Sequence, residues 1–230
     1  MDDDLHRFQQ HPTPERPLNG LKVLVVEDSR CAAQAVRLLA LYSGARLRRA
    51  DSIAAAHRHL AVYRPSIVIA DMGLPDGNGA DLIAELATAE PRVPVLVGTS
   101  GDPGAEEMAM AAGADGFLAK PLESLAAFQQ VLIGLLPASE VPQGPRALPK
   151  QVVAPDAGSL AEDLELAADI MQQGAAPGLA YAAQFLGTVA QAVHDPVLEA
   201  AARRLAGAPA QAPQVARLVA DRLAEMRASA

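Results

Sequence analysis

Cysteine, aromatic residues and basic charge are what this sequence has least of. A single cysteine, Cys31, excludes an internal disulfide and every multi-cysteine metal site, and suits a reducing compartment. Tryptophan is absent and aromatic residues make up 3% of the chain. No apolar run approaches the roughly 18 residues that a membrane span needs. Asp2, Asp3 and Asp4 stand where a secretory signal would carry basic residues ahead of an apolar core. With 19 Lys and Arg against 27 Asp and Glu, the net charge is −8, so no basic surface is available to hold a nucleic-acid backbone. The expectation is a soluble, cytoplasmic protein whose partners are neither nucleic acid nor membrane.

What is there is half hydrophobic, in 230 residues, enough for one full domain and a smaller one. Residues 1–19 mix charge with three prolines, lack any period and read as a disordered leader. From Leu21, short apolar runs alternate with longer amphipathic stretches, the pattern of βαβ units. The runs are Leu21–Val26, Leu47–Ala50, Ile67–Ala70, Val93–Gly98 and Gly116–Ala119. Four of the five are too apolar to have a wet face and belong inside a parallel sheet. Helices are expected over Ser29–Tyr42, Ile53–Tyr63, Ala80–Ala89, Ala105–Ala112 and Ser124–Leu135. The fold class is therefore α/β, a doubly wound five-stranded parallel sheet over residues 20–137. Prolines at 137, 142, 145, 149 and 155 then mark a semi-rigid linker, residues 138–157. Residues 158–230 are Ala-rich with apolar residues at helical spacing, a small all-α domain broken at Gly174–Gly178, His194–Pro196 and Gly207–Pro213.

In an open parallel sheet, functional groups gather beyond the carboxyl ends of the strands. The first strand runs into Glu27 and Asp28, the third into Asp71, the fourth into Thr99 and Ser100, the fifth into Lys120 and Pro121. Carboxylates brought this close repel unless a cation sits among them, and Mg²⁺ is the hard cation that combines one or two carboxylates with water and phosphate oxygens. An Asp can also act as a nucleophile toward phosphorus. A lysine supplies a point charge for phosphoryl oxygens, and a hydroxyl completes their coordination.

Four separated segments resemble the receiver domains of two-component response regulators: Val23 to Ser29, Ile67 to Gly79, Pro94 to Thr99 and Ala112 to Pro121. The resemblance covers about residues 20–137 and implies a flavodoxin-like strand order 2-1-3-4-5, which general description of this fold also gives. It further implies Asp71 as the phosphoacceptor. Glu27, Asp28, Asp71 and the backbone carbonyl of Gly73 would hold Mg²⁺. Lys120 and Thr99 would bind the phosphoryl group, Phe117 would be a switch aromatic, and Pro121 would follow a conformationally special peptide bond. The implied partners are a sensor histidine kinase or phosphotransfer protein, a downstream protein of unknown identity, and a second copy of the chain in a homodimer. The implied role is signalling by protein–protein interaction, with no enzymatic activity beyond slow self-dephosphorylation. Against it stand a phosphate sink or scaffold, and an Mg²⁺-dependent aspartate-nucleophile phosphatase, which would need an Asp-x-Asp after the first strand that this chain lacks. The short, Gly- and Pro-rich stretch from Ser100 to Gly104 points to a short fourth helix.

The remaining candidates have plainer readings. Cys31 is a small helix residue. His57 and His59 are two apart on a helix and cannot chelate together. Arg46, Arg48 and Arg49 guard an edge strand. No Gly-x-Gly-x-x-Gly or Gly-Lys-Ser/Thr phosphate loop is present. Residues 150–230 hold 6 Lys and Arg against 9 Asp and Glu, which disfavours a DNA-binding tail. Ala202-Arg203-Arg204-Leu205-Ala206-Gly207 is weakly similar to the segment around the phosphorylatable histidine of histidine-phosphotransfer bundles, with Arg203 in the histidine's place.

Overall fold

The computed structural model describes residues 11–228. Five strands, β1 (Lys22–Val26), β2 (Arg46–Ala50), β3 (Ile67–Asp71), β4 (Val95–Ser100) and β5 (Gly116–Ala119), form one parallel sheet in the order β2-β1-β3-β4-β5. This is the expected doubly wound topology. Helices α1 (Arg30–Tyr42), α2 (Ile53–Leu60), α3 (Gly79–Thr88), α4 (Ala105–Ala111) and α5 (Leu125–Leu135) connect and cover it. Strand side chains alternate between two buried faces. Val23, Val25, Ile67, Ile69, Val95 and Val97 pack with α1 and α5, while Leu24, Val26, Val68, Ala70 and Leu96 pack with α2, α3 and α4. The helix starts follow from their caps. Ser29, Ser52, Asn78 and Ser124 each accept a backbone N–H in the first turn of α1, α2, α3 and α5. Helix α4 follows Gly104, which offers no side-chain cap, and runs only 7 residues, the short helix expected.

Two segments depart from the sequence reading. Of the leader, residues 1–10 lie outside the described residues, but 11–19 are not a free tail. Pro17 and Leu18 are buried, the Leu18 N–H donates to the Ser43 carbonyl at 2.9 Å, and the Leu18 side chain joins the α1–α5 face of the core. A lone apolar residue among polar neighbours carries no period, so sequence pattern gave no sign of it. The Pro-rich linker is likewise docked near its C-terminal end. The Val153 N–H donates to the Glu123 carbonyl, Leu125 N–H donates to Gln151, and Val153 is buried in that same core face. The prolines prevent a helix without preventing extended backbone from lying on the domain.

Beyond it, α6 (Ala157–Gln173), α7 (Ala176–Ala192), α8 (Pro196–Gly207) and α9 (Ala212–Ala228) build a second core around Leu164, Phe185, Leu186, Val189, Leu205 and Val219. The breaks fall where Gly174, His194–Pro196 and Gly207–Pro213 placed them. Among the described residues no helix is long and apolar enough to cross a membrane. Helices α6 and α7 lie against α1, beside the carboxyl edge of the sheet.

Candidate functional site

Strand register creates the site. Val26 pairs with Ala70, Asp71 with Thr99, and Ser100 with Ala119, so Glu27, Asp28, Asp71, Thr99 and Lys120 emerge at one edge. One carboxylate oxygen from each of Glu27, Asp28 and Asp71 lies within 4.8 Å of the others. All three residues are buried, at 0%, 7% and 4% exposure. The Lys120 ammonium reaches Glu27 Oε2 at 2.6 Å and Asp71 Oδ2 at 3.0 Å. Both are close ion pairs between buried side chains. Arg49, on β2, reinforces the turn from behind: its Nε donates to the Glu27 carbonyl at 2.9 Å and its Nη2 to the Asp28 carbonyl. That gives one of the three strand arginines a task beyond guarding an edge.

The electrostatics follow from enclosure. Burial pushes the Glu27 carboxyl well above its ordinary range, Asp71 adds to the rise, and Lys120 offsets only part of it. Asp28 is raised too, chiefly by burial, with a hydrogen bond from Tyr181 pulling the other way. For Lys120, burial lowers the pKa, but Asp71 and Glu27 outweigh it and the ammonium is held above its ordinary value. Three carboxylates share one ammonium in a space closed to water. The donor set is all oxygen, three carboxylates against a single ammonium. A hard divalent cation fits these residues.

Other expected residues fall as follows. Thr99 is buried and its hydroxyl donates to the Leu118 carbonyl at 2.7 Å. Phe117 is half-buried against the α2–α4 face of the core, its ring edge lying where a Cβ on Gly98 would be 3.1 Å away. The Lys120–Pro121 peptide bond is cis. Gly73 lies in a short hairpin with Gly77–Asn78 and is closely approached by Gln184 of α7. Arg203, on α8, is exposed and meets Glu199 one turn away at 3.6 Å. It stands apart from the acidic cluster, lining a cleft shared with the Ser100–Pro103 loop.

Two site residues escaped sequence reasoning, and both come from the tail. The Tyr181 hydroxyl donates to Asp28 Oδ2. Asp163, 1% exposed, accepts from the Ser29 hydroxyl at 2.8 Å, the Arg30 N–H at 2.7 Å and the Cys31 N–H at 2.9 Å, capping α1 from outside its own domain. Neither breaks the helical spacing of the tail's apolar residues, so neither left a trace in the sequence pattern.

Residues 23–131 match the model of the response regulator receiver domain. Among curated proteins, the chain is 37% identical over 131 residues to the response regulator protein FleR of Pseudomonas aeruginosa, covering 55% of this chain and 28% of that protein. It is 31% identical over 116 residues to the virulence transcriptional regulatory protein PhoP of Salmonella typhimurium, covering 49% and 52%. The chain thus spans about half or less of the length of these relatives. Among solved structures it is similar to the chemotaxis response regulator CheY4 of Vibrio cholerae, at 22% identity, TM-score 0.46, and coverage of 50% and 98%. The receiver domain of sensor histidine kinase PA1611 of Pseudomonas aeruginosa, solved with magnesium coordinated in its active-site cleft, gives 24% identity, TM-score 0.44, and coverage of 48% and 92%. The segment from residue 23 to 131 of this chain, with its acidic edge and buried lysine, belongs to the response regulator receiver domain family.

Proposed function

We propose that the chain is a response regulator phosphorylated on Asp71 in an Mg²⁺-dependent reaction, and that it signals through protein–protein contacts of its receiver face and helical tail. The observation that carries this reading is the enclosed cluster of Glu27, Asp28 and Asp71 with Lys120 between Glu27 and Asp71. Glu27, Asp28, Asp71 and the Gly73 carbonyl would hold Mg²⁺, which neutralises the carboxylates and draws phosphoryl oxygens to the site. The donor is a sensor histidine kinase or phosphotransfer protein. An Asp71 carboxylate oxygen attacks phosphorus, a P–O bond forms, and the bond from phosphorus to the donor's nitrogen breaks, its electron pair leaving with the donor. Lys120 then moves its charge from the free carboxylate to the phosphoryl oxygens. Thr99 gives up the Leu118 carbonyl to donate to the same oxygens, and the vacated space lets Phe117 repack near α4, a shift in population between two arrangements. Downstream, an unidentified protein or a second copy of the chain reads that face.

Acetyl phosphate with Mg²⁺ tests the assignment. Wild-type chain should take up one phosphoryl group by intact mass, Asp71→Ala should take up none, and EDTA should abolish uptake by the wild type. Undiminished labelling of Asp71→Ala would overturn the choice of acceptor.

A further inference from the structure

The open side of the acidic cluster, from which a cation and a phosphoryl donor must enter, is covered by helix α7. Along one face of that helix run Tyr181, Gln184, Thr188 and Gln191, a polar stripe at helical spacing opposite the apolar residues Leu179, Ala182, Leu186 and Val189. Each member of the stripe meets the receiver edge. Tyr181 bonds Asp28 Oδ2. A Cβ on Gly73 would fall 1.6 Å from Gln184 Nε2, and one on Gly101 would fall 1.9 Å from Gln191 Oε1, so the helix touches bare backbone at the loops after β3 and β4. Thr188 lines a small cavity with Lys120 and Pro121. Gln191 Oε1 is buried without a hydrogen-bond partner, the cost of fitting so closely. Helix α6 adds a second anchor on another element, the Asp163 carboxylate seated on the first turn of α1, and Glu162 of α6 reaches Arg30 at 2.6 Å.

We propose that the helical tail is a built-in occupant of the phosphorylation site. Tyr181 takes the Asp28 oxygen that a cation would use, Gln184 lies on Gly73, and the stripe fills the approach to Asp71. Tail and phosphoryl donor compete for one surface, and the site works only in molecules whose α6–α7 pair has moved away. A site that is competent in only a fraction of molecules binds its ligand more weakly by that fraction. Weakening the two anchors should therefore tighten cation binding, although neither substitution adds a ligand. The proposal rests on the cation-binding reading above, and the experiment separates the two.

Mg²⁺ binding to the full chain is measured by titration calorimetry for the wild type and for Tyr181→Phe/Asp163→Asn. The double variant should bind at least tenfold more tightly. In the unsubstituted protein, Cys31 is a native reporter. It is fully buried at the α1 end held by Asp163, and burial, with the Asp163 charge added, keeps the thiol well above its ordinary pKa. Its alkylation should accelerate at least tenfold when Mg²⁺ and beryllium fluoride are added together. This second measurement decides the matter even if the double variant folds poorly. Equal Mg²⁺ affinity in both proteins, or Cys31 protection that persists while fluorine NMR shows the fluoroberyllate bound, would overturn the cap and leave the phosphorylation reading intact. Failure of both proteins to bind Mg²⁺ would overturn both.

Discussion

Glu27 is fully enclosed and faces Asp71 and Lys120. Its raised pKa has a consequence for stability. A carboxyl whose pKa is higher folded than unfolded binds more protons in the native state across the interval between the two values, so stability falls as pH climbs through that interval. For Glu27 and Asp28 the interval opens at about pH 4. Without a divalent cation, the thermal midpoint should therefore drop from about pH 5 to about pH 8, and millimolar Mg²⁺ should restore it at the higher pH far more than at the lower, because the ion binds the deprotonated native site. Matched midpoints with and without Mg²⁺ at both pH values would contradict the electrostatics given to the site. Glu27, Asp28, Asp71 and Lys120 were legible in the sequence because each follows a strand directly, and chain order then fixes their meeting. Tyr181 and Asp163 were not. Their partners lie 153 and 134 residues away, and nothing local to a Tyr in an Ala-rich helix says which surface it will meet.

At the level of elements, five strands and five helices of the receiver could be read from alternation of apolar runs and amphipathic stretches, and three or four tail helices from their Gly and Pro breaks, of which the structure has four. The boundaries came out within a few residues because serine, asparagine and aspartate caps set most helix starts. What composition hid was the docking of segments without period. Leu18 is completely buried though it sits in a stretch that reads as leader. Leu18→Ala should cost about 2–4 kcal/mol of unfolding free energy in urea, as removal of a buried leucine side chain does. A loss below about 0.5 kcal/mol would show that the segment contributes nothing to the core. Thr99 illustrates a subtler limit. Its position at the end of β4 was legible, but the bond it makes to Leu118 across to β5 is a property of the resting arrangement that spacing cannot reveal.

Over the whole molecule, receiver and tail are joined through the site itself. The linker is anchored on α5, α6 caps α1, and α7 lies over Glu27, Asp28 and Asp71, so the acid cluster belongs to an interface as well as to a domain. Receiver and tail have separate apolar sets, but the surface between them includes polar, long-range contacts, which periodicity does not encode. The most direct test of coupling between Asp71 chemistry and the tail is amide hydrogen exchange of the full chain, with Mg²⁺ alone and with Mg²⁺ plus beryllium fluoride. On addition of the fluoride, amides at the ends of β1 and β3 should gain protection while those of α6, α7 and the first turn of α1 lose it. Gain at the strand ends with α6 and α7 unchanged would contradict that coupling.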